Sequence, residues 1–479
     1  MYIRKIFALI LAIALVFGSF SFSFASEELK TTNSNAAAFT DLTGHWAAEA
    51  IYKWAGYGII NGFEGAFRPD NSITRGEMAV ILDNMMDYQV KASNKFTDLQ
   101  QGKFYTDAVL KANAAGIIIG DGKTVRPNDK ITREEAAVML SRAFAVKEAS
   151  SGNTFADASS ISDWAKGAVF GMEAKGYLNG YDGHFEPKAD ITRAAAVTII
   201  DNIVKAYYTT AGTYTENVEG TAVIKVSGVI LKDITVSENL IIAEGVAQGD
   251  ATLDSVTVKG DTVVRGGGEN SIHIIGNSSL TSITIQKVDG KIRIVVSDGI
   301  TIQELEITAG EEIILDGSFG TVNMDAPDAT LTVNAGSSVQ KVVATAKVSI
   351  RGLGAVTEVD LNAGANGSSV TTPNTEITVS SGVSGVTGGG GTPIPAGSSG
   401  KNNSSGSDVA ESTGGGGGGG GTDTPSPTLT LDESSVRIGG HTVTKSGIYY
   451  EIDIDWTDDT ELSARVSGAN FNASTSYPM

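Results

Sequence analysis

The sequence predicts a multidomain chain: an N-terminal all-α bundle of three repeats, then an all-β region wound as a β-solenoid (a parallel β-helix), with a β-sandwich as the alternative. Ile73-Thr74-Arg75-Gly76-Glu77 recurs as Ile131-Thr132-Arg133-Glu134-Glu135 and as Ile191-Thr192-Arg193-Ala194-Ala195. Each copy stands at the same place in a unit that opens on Phe-x-Asp, at Phe39 to Asp41, Phe96 to Asp98 and Phe155 to Asp157. Self-similarity at such a period marks a supersecondary unit whose apolar faces are completed by its neighbours. After about Thr209 helical spacing stops, and short β-branched runs alternate with Gly, Asn, Asp and Ser.

In chain order, Arg4 and Lys5, the apolar run Ile6 to Phe22 and the small residues Ser23 and Ala25 read as an export signal over residues 1–25, followed by a polar leader over 26–38. A membrane anchor retained at this end is the competing reading. Once the signal is removed, no stretch is long and apolar enough to hold the chain in a bilayer. With 55 acidic against 35 basic side chains and a formal charge of −20, nucleic acid and anionic lipid are poor partners. The chain has no cysteine, so an exported protein of this kind relies on packing and repetition.

The repeats are expected over 39–95, 96–152 and 153–208, each as helix, glycine loop, helix. In the first, Trp46, Ala50, Ile51 and Trp54 follow helical spacing up to Gly56 and Gly58, and Met78, Leu82 and Met85 form a second stripe. Gly62, Gly120 and Gly180 align, as do Pro69, Pro127 and Pro187, and Trp46 matches Phe104 and Trp164. Thr-x-x-Glu ahead of an apolar run is a capping box, at Thr74 with Glu77 and at Thr132 with Glu135. Thr192 has Ala195 where the acid belongs, so the third helix loses half its box.

Capping does not explain the arginines. Arg75, Arg133 and Arg193 fall on the first helical position, where the positive end of the helix dipole disfavours a cation by a few tenths to about 1 kcal/mol. Three such placements suggest that the guanidinium and the free helix amides face an external anion together. The structural alternative is an arginine paired with an acid of a neighbouring repeat.

Taken together, Phe-x-Asp, the following aromatic, the glycine loop ending in Phe-x-Pro and the Ile-Thr-Arg-x-Glu motif, in three tandem copies, resemble the S-layer homology (SLH) domain family. The resemblance implies one pseudo-threefold helical unit that binds secondary cell wall polysaccharide non-covalently, commonly a pyruvylated glycan, in grooves between repeats. It implies that Arg75, Arg133 and Arg193 contact the acidic sugar, with Thr74, Thr132, Thr192, Glu77, Glu135, Gly62, Gly120, Gly180, Trp46 and Trp164 around it. The missing acid at Ala195, Phe104 in place of tryptophan and the polar Asp121-Gly122-Lys123 loop make the grooves unequal, the first repeat having the fullest motif.

Residues 209–384 read as the solenoid. One family of runs passes through Ile283/Ile285, Leu305/Ile307, Val322/Met324, Val359/Leu361 and Ile377/Val379; another passes through Ile292/Ile294, Ile313/Leu315, Leu331/Val333 and Val348/Ile350. Steps of 17 to 22 residues, apart from one of 37 that equals two coils, with no helices between, suit a coil that supplies a strand to each of two or three faces. The glycines between Gly260 and Ile274 read as turns between coils, in a stretch that resembles segments following SLH repeats in other exported bacterial surface proteins. Parallel β-helices host polysaccharide lyases and glycosidases, and Asp298, Asp316, Asp325, Asp328, Lys291 and Arg293 are the groups such a site would draw on, but acids at turns are ordinary turn formers. His273 reads as a strand surface residue. A Gly/Ser/Pro-rich linker is expected over 385–427 and a small or partial β module over 428–479.

The sequence therefore predicts a secreted, non-enzymatic surface protein of a bacterial wall or S-layer, Gram-positive in type. It has no cofactor, metal site or catalytic residue, and it displays a structural or adhesive β-rich region. A wall-anchored polysaccharide-active enzyme is the alternative. Self-assembly and a host or matrix ligand both stay open for the distal part.

Overall fold

The computed structural model describes residues 39–152 and 155–403. It also describes the strands Val409–Glu411, Arg437–Ile438, His441–Ser446, Tyr449–Ile452, Ser463–Gly468 and Phe471–Ser476. The expected signal and leader lie outside the described residues. The chain divides into two compact units after Ser412.

Among the described residues the first unit opens with six α-helices: α1 (Ala48–Gly56), α2 (Arg75–Met86), α3 (Thr106–Ala114), α4 (Arg133–Ala143), α5 (Asp163–Ala174) and α6 (Arg193–Ile203). The repeats close into a ring, because the second helix of each packs on the first helix of the next: α2 on α3, α4 on α5 and α6 on α1. At the centre, Ile73 N donates to Ile191 O, Ile131 N to Ile73 O and Ile191 N to Ile131 O, and all three side chains are buried. The recurrent isoleucine is thus the hub of the ring. Met78, Leu82 and Met85 fill the core beneath it. Trp46 departs from the expected stripe. Helix α1 starts at Ala48, leaving Trp46 in the preceding turn and 65% exposed, while Ile51 and Trp54 are buried.

The Phe-x-Asp opening holds each glycine loop. Asp41 accepts from Phe67 N and Arg68 N (2.9 and 2.6 Å), and Asp98 and Asp157 grip Val125/Arg126 and Phe185/Glu186 in the same way. The phenylalanine ring lies over the aligned glycine. A Cβ on Gly62 would stand 2.4 Å from Phe39, and one on Gly180 2.3 Å from the His184 carbonyl.

Helix α6 runs directly into the strand Val204–Tyr208, which the sequence had placed inside the third repeat; it pairs in parallel with Thr221–Ile224 and starts the solenoid. From there each coil gives one strand to each of two parallel sheets. Parallel in-register pairing stacks like on like. Ile283, Leu305, Val322, Val342, Val359 and Ile377 form one inner column, and Ile292, Ile313, Leu331 and Ile350 another. The double-length step in the sequence pattern hides the strand Ser338–Ala344, where Ala344 stands between Met324 and Leu361. From Val204 to Val379, among the described residues, no two consecutive strands are joined as a hairpin, as a β-sandwich would require.

The expected linker does not begin at 385. Val386–Thr387 turns back antiparallel on Pro393–Ile394, and Ser399–Asn402 pairs antiparallel with Glu376–Val379. Small residues serve here because Asn402, fully buried, ties Gly389 N to the carbonyls of Val370 and Thr372. In the second unit, His441–Ser446 pairs antiparallel with Arg437–Ile438 and Tyr449–Ile452, and Ser463–Gly468 with Phe471–Ser476.

The ring also seats on the solenoid. Lys225 Nζ donates to Asn84 O (2.6 Å) and Tyr207 Oη to Met85 O (2.7 Å) at the end of α2. At the end of α4, the buried Arg265 donates to Ala143 O and Arg142 O, and Asn239 to Phe144 O and Ala145 O. Side-chain donors thereby satisfy helix carbonyls that have no intrahelical partner. Tyr207, Val223, Ile241 and Val263 join the core of the ring.

Candidate functional site: three grooves between the repeats

Arg75, Arg133 and Arg193 are the first residues of α2, α4 and α6, and Thr74, Thr132 and Thr192 cap these helices from extended backbone. Glu77 and Glu135 complete capping boxes, and Ala195 leaves the third half-made. The amides of these termini are not open to a ligand, contrary to the sequence argument. Arg75 N and Gly76 N donate to Asp129 O and Pro127 O; Arg133 N and Glu134 N to Ala189 O and Pro187 O; Arg193 N and Ala194 N to Asn71 O and Pro69 O. Ring closure consumes them, because the proline-bearing loop of the next repeat needs donors for its carbonyls. Only the guanidinium groups remain for an external anion.

Each guanidinium crosses to the next repeat. Arg75 meets Glu135 at 2.5 Å, an acid that also receives Arg126 at 2.8 Å. Arg193 reaches Glu77 at 3.3 Å and the carbonyls of Phe67 and Asn61, with its guanidinium 4.6 Å from the Phe67 ring centroid. Arg133 donates to Phe185 O (2.6 Å) and Asn179 O (3.0 Å) over the Phe185 ring, and Ala195 offers it no acid. The arginine–acid contact held as the structural alternative is therefore real for Arg75 and Arg193. It fails for Arg133, which has no ion pair among the described residues.

These contacts form three grooves, each assembled from all three repeats. Arg193, the Asn61 end of the first loop and Phe104 line one of about 210 Å³. Arg75, the Gly120 loop and Trp164 line a second of about 380 Å³, and Arg133, the Gly180 loop and Trp46 a third of about 430 Å³. The aligned aromatics are exposed, Phe104 at 72% and Trp164 at 57% alongside Trp46. A cation beside a bare aromatic face suits a sugar carrying an anion, since the ring covers apolar C–H surface while the guanidinium takes two oxygens. Gly62, Gly120 and Gly180 contribute by letting the loop close under its phenylalanine. Phe104, aligned but not counted as a binding residue, lines its groove as the tryptophans line theirs.

Electrostatics separate the grooves further. Burial raises the pKa of Glu135, but the Thr132 amide and the arginines outweigh it and hold the carboxyl below its ordinary range. Burial lowers the Arg133 pKa, opposed by Glu186 and Asp157. Arg193 is lowered by burial too, against the pull of Glu77.

The acids considered for catalysis on the solenoid divide between opposite corners of the coil. Asp298 and Asp316 lie where one sheet passes to the other, Asp325 and Asp328 where the chain returns. Asp316 takes Arg293 and Asn334, Asp325 the Thr345 hydroxyl, and Asp328 takes Lys347 at 2.7 Å; Lys291 lies between Glu269 and Glu312. His273 is a half-buried strand residue bonded to Asn270 O. Among the described residues no group of three or more His, Asp or Glu is placed to hold a metal.

The S-layer homology domain model matches residues 38–79, 95–137 and 154–197, the segments that build the ring. The chain carries three tandem SLH domains. It is 36% identical over 175 residues to an amylopullulanase of Thermoanaerobacterium thermosulfurigenes, covering 35% of this chain and 9% of that protein. It is 31% identical over 178 residues to a surface-layer 125 kDa protein of Lysinibacillus sphaericus (35% and 15%) and 27% identical over 221 residues to an S-layer protein of Bacillus anthracis (45% and 26%). The chain spans about a quarter or less of the length of these relatives. SLH domains point to anchoring at the cell surface or cell wall.

Proposed function

We propose that this chain is a secreted surface protein of a Gram-positive bacterium. Its SLH ring holds it to secondary cell wall polysaccharide, with an acidic, pyruvylated sugar in the inter-repeat grooves. The observation that carries the reading is the composite groove, with guanidinium, glycine loop and exposed aromatic drawn from three different repeats. A ketal carboxylate meets Arg133, Arg75 or Arg193, the sugar ring stacks on Trp46, Trp164 or Phe104, and the solenoid is displayed beyond. Of the three, the Arg133 groove attracts an anion most strongly, because its guanidinium has no ion pair among the described residues, Glu186 and Asp157 acting on it without direct contact. Thr74, Thr132 and Thr192 keep the arginines in position through the helix caps.

Relatives with enzyme names and relatives with surface-layer names align with similar short shares of their own length. What they hold in common with this chain is therefore not a catalytic activity, and a non-enzymatic anchor is the reading that fits both. The test is co-sedimentation of the chain from residue 26 with purified wall sacculi. Binding is expected, is lost when wall polymer is stripped, and is lost in the triple Arg→Ala variant. Unchanged sedimentation of that variant removes the arginines from the mechanism. Reducing ends or unsaturated products released from pectins, glucans or wall glycans would overturn the non-enzymatic assignment.

A further inference from the structure

The Arg75 groove has a second space beside it at the edge of the ring. Ile117 and Arg142, which line it, also line a neighbouring cleft of about 500 Å³ where the ring meets the solenoid, walled on the far side by Gln286, Thr308 and Ala309. The two spaces thus adjoin at the Arg142 side chain. The junction fixes the cleft's far wall. Arg265, held by the carbonyls at the end of α4, donates from Nε and Nη2 to Gln286 Oε1 (both 3.1 Å). With its oxygen so occupied, the Gln286 amide has only its NH₂ left to offer. Arg142 is exposed, has no ion pair among the described residues, and makes one long contact with Ile117 O (3.4 Å). Thr308 is exposed on the strand Thr301–Ala309 beside Gln286. Glu148 is on the rim; of the two cations in the lining, Arg265 is buried and committed to the α4 carbonyls and Gln286, so the charges left open to a ligand are Arg142 and Glu148.

We propose that this cleft is a further carbohydrate subsite, formed jointly by ring and solenoid, which takes the uncharged sugar adjoining the acidic residue in the Arg75 groove. The inference rests on the reading of that groove as a glycan site. A cleft whose open charges, Arg142 and Glu148, balance, with a fixed amide donor and a hydroxyl beside them, suits hydroxyl groups, and its volume falls in the range of a small-molecule site. Together the two spaces accommodate more than one sugar. The solenoid is then part of the anchor, and an SLH ring without it would read a shorter stretch of polymer.

The experiment is calorimetric binding of size-fractionated wall polysaccharide fragments to the whole chain from residue 26, as wild type, Thr308→Trp and Thr308→Glu. Both substitutions fall on an exposed strand position, and an unchanged thermal transition checks the fold. Wild-type affinity is expected to rise with fragment length. Both variants should bind the shortest acidic fragment as wild type does while losing about tenfold on longer ones, the worth of one or two hydrogen bonds. A length-dependent gain that survives in both variants reflects bridging between grooves and overturns the subsite, as does a wild-type affinity that ignores length. Failure of every fragment to bind wild type and triple Arg→Ala variant alike sinks the groove reading itself, and this inference with it.

Discussion

The helical ring and the β-stack both arise by repetition, but the ring closes on itself after three units whereas the stack stays open and must be ended by other means. Closure lets each ring repeat lend a different part to each groove. In the stack, each coil touches only the coils above and below, so its side chains mostly serve the inner columns and local ion pairs. Composite sites therefore belong to the ring and its seam with the stack, and length belongs to the stack.

Damage should spread differently in the two. Ile131→Ala at the hub is expected to cost about 4 kcal/mol and to weaken wall binding at all three grooves. Ile350→Ala, in an inner column, should cost about 3 kcal/mol and leave sedimentation with sacculi unchanged. Denaturant titration alongside the sacculus assay measures both, and equal loss of binding would break the contrast. Arg265→Ala tests the seam between the halves. Removing a buried cation from the end of α4 should cost about 3 kcal/mol and split a single calorimetric transition into two.

Within the ring, two arginines sharpen the comparison. Arg75→Ala strips the half-buried Glu135 of its nearest cation, leaving Arg126, and should lower stability by about 2 kcal/mol. Arg133→Ala removes the donor from the Phe185 and Asn179 carbonyls but strands no acid, and should cost about 1 kcal/mol of stability while weakening wall binding about tenfold. Acid should act on the ring before the seam. Asp41 and Asp157 are held below their ordinary range by backbone amides that outweigh burial, and Glu135 by an amide and arginines. The stability they contribute is full above about pH 5 and is lost as the pH falls through their lowered values. Glu244, at the seam, is raised by burial, so its protonation favours the folded state as the pH falls through its raised value. Circular dichroism melts from pH 7 to pH 3 should show the helical signal failing first. The smallest change is Ala195→Glu. It should add about 1 kcal/mol by completing the third capping box, and weaken glycan binding at the Arg133 groove by neutralising it.

Local order was legible in the sequence. The helix starts at Arg75, Arg133 and Arg193, the two full capping boxes and both families of strand runs are each written in a few neighbouring residues. What the sequence did not reveal depends on contacts far apart in the chain. That Pro127 and Asp129 would consume the amides of α2 follows from ring closure, and nothing near Arg75 signals it. That Trp46 serves Arg133 rather than Arg75 needs the cyclic order of the repeats. The seam was hidden because Arg265 and Asn239 look like ordinary turn and strand-edge residues until the ends of α2 and α4 are set beside them. The glycine-rich run after 385 read as linker because composition registers the shortage of apolar side chains but not the backbone pairing that Asn402 anchors.

That last hairpin has a mechanical meaning. A parallel stack exposes at its end a row of backbone donors and acceptors onto which another strand could add, and an antiparallel flap containing Pro393 covers that row. The helical ring lies against the face of the first four coils, where Tyr207, Val223, Ile241 and Val263 form one column, and at the far end Ser399–Asn402 is itself paired antiparallel with Val409–Glu411. At strand spacings of about 4.8 Å the stack then acts as a rigid spacer roughly 50 Å tall, whose rise is set by the count of coils.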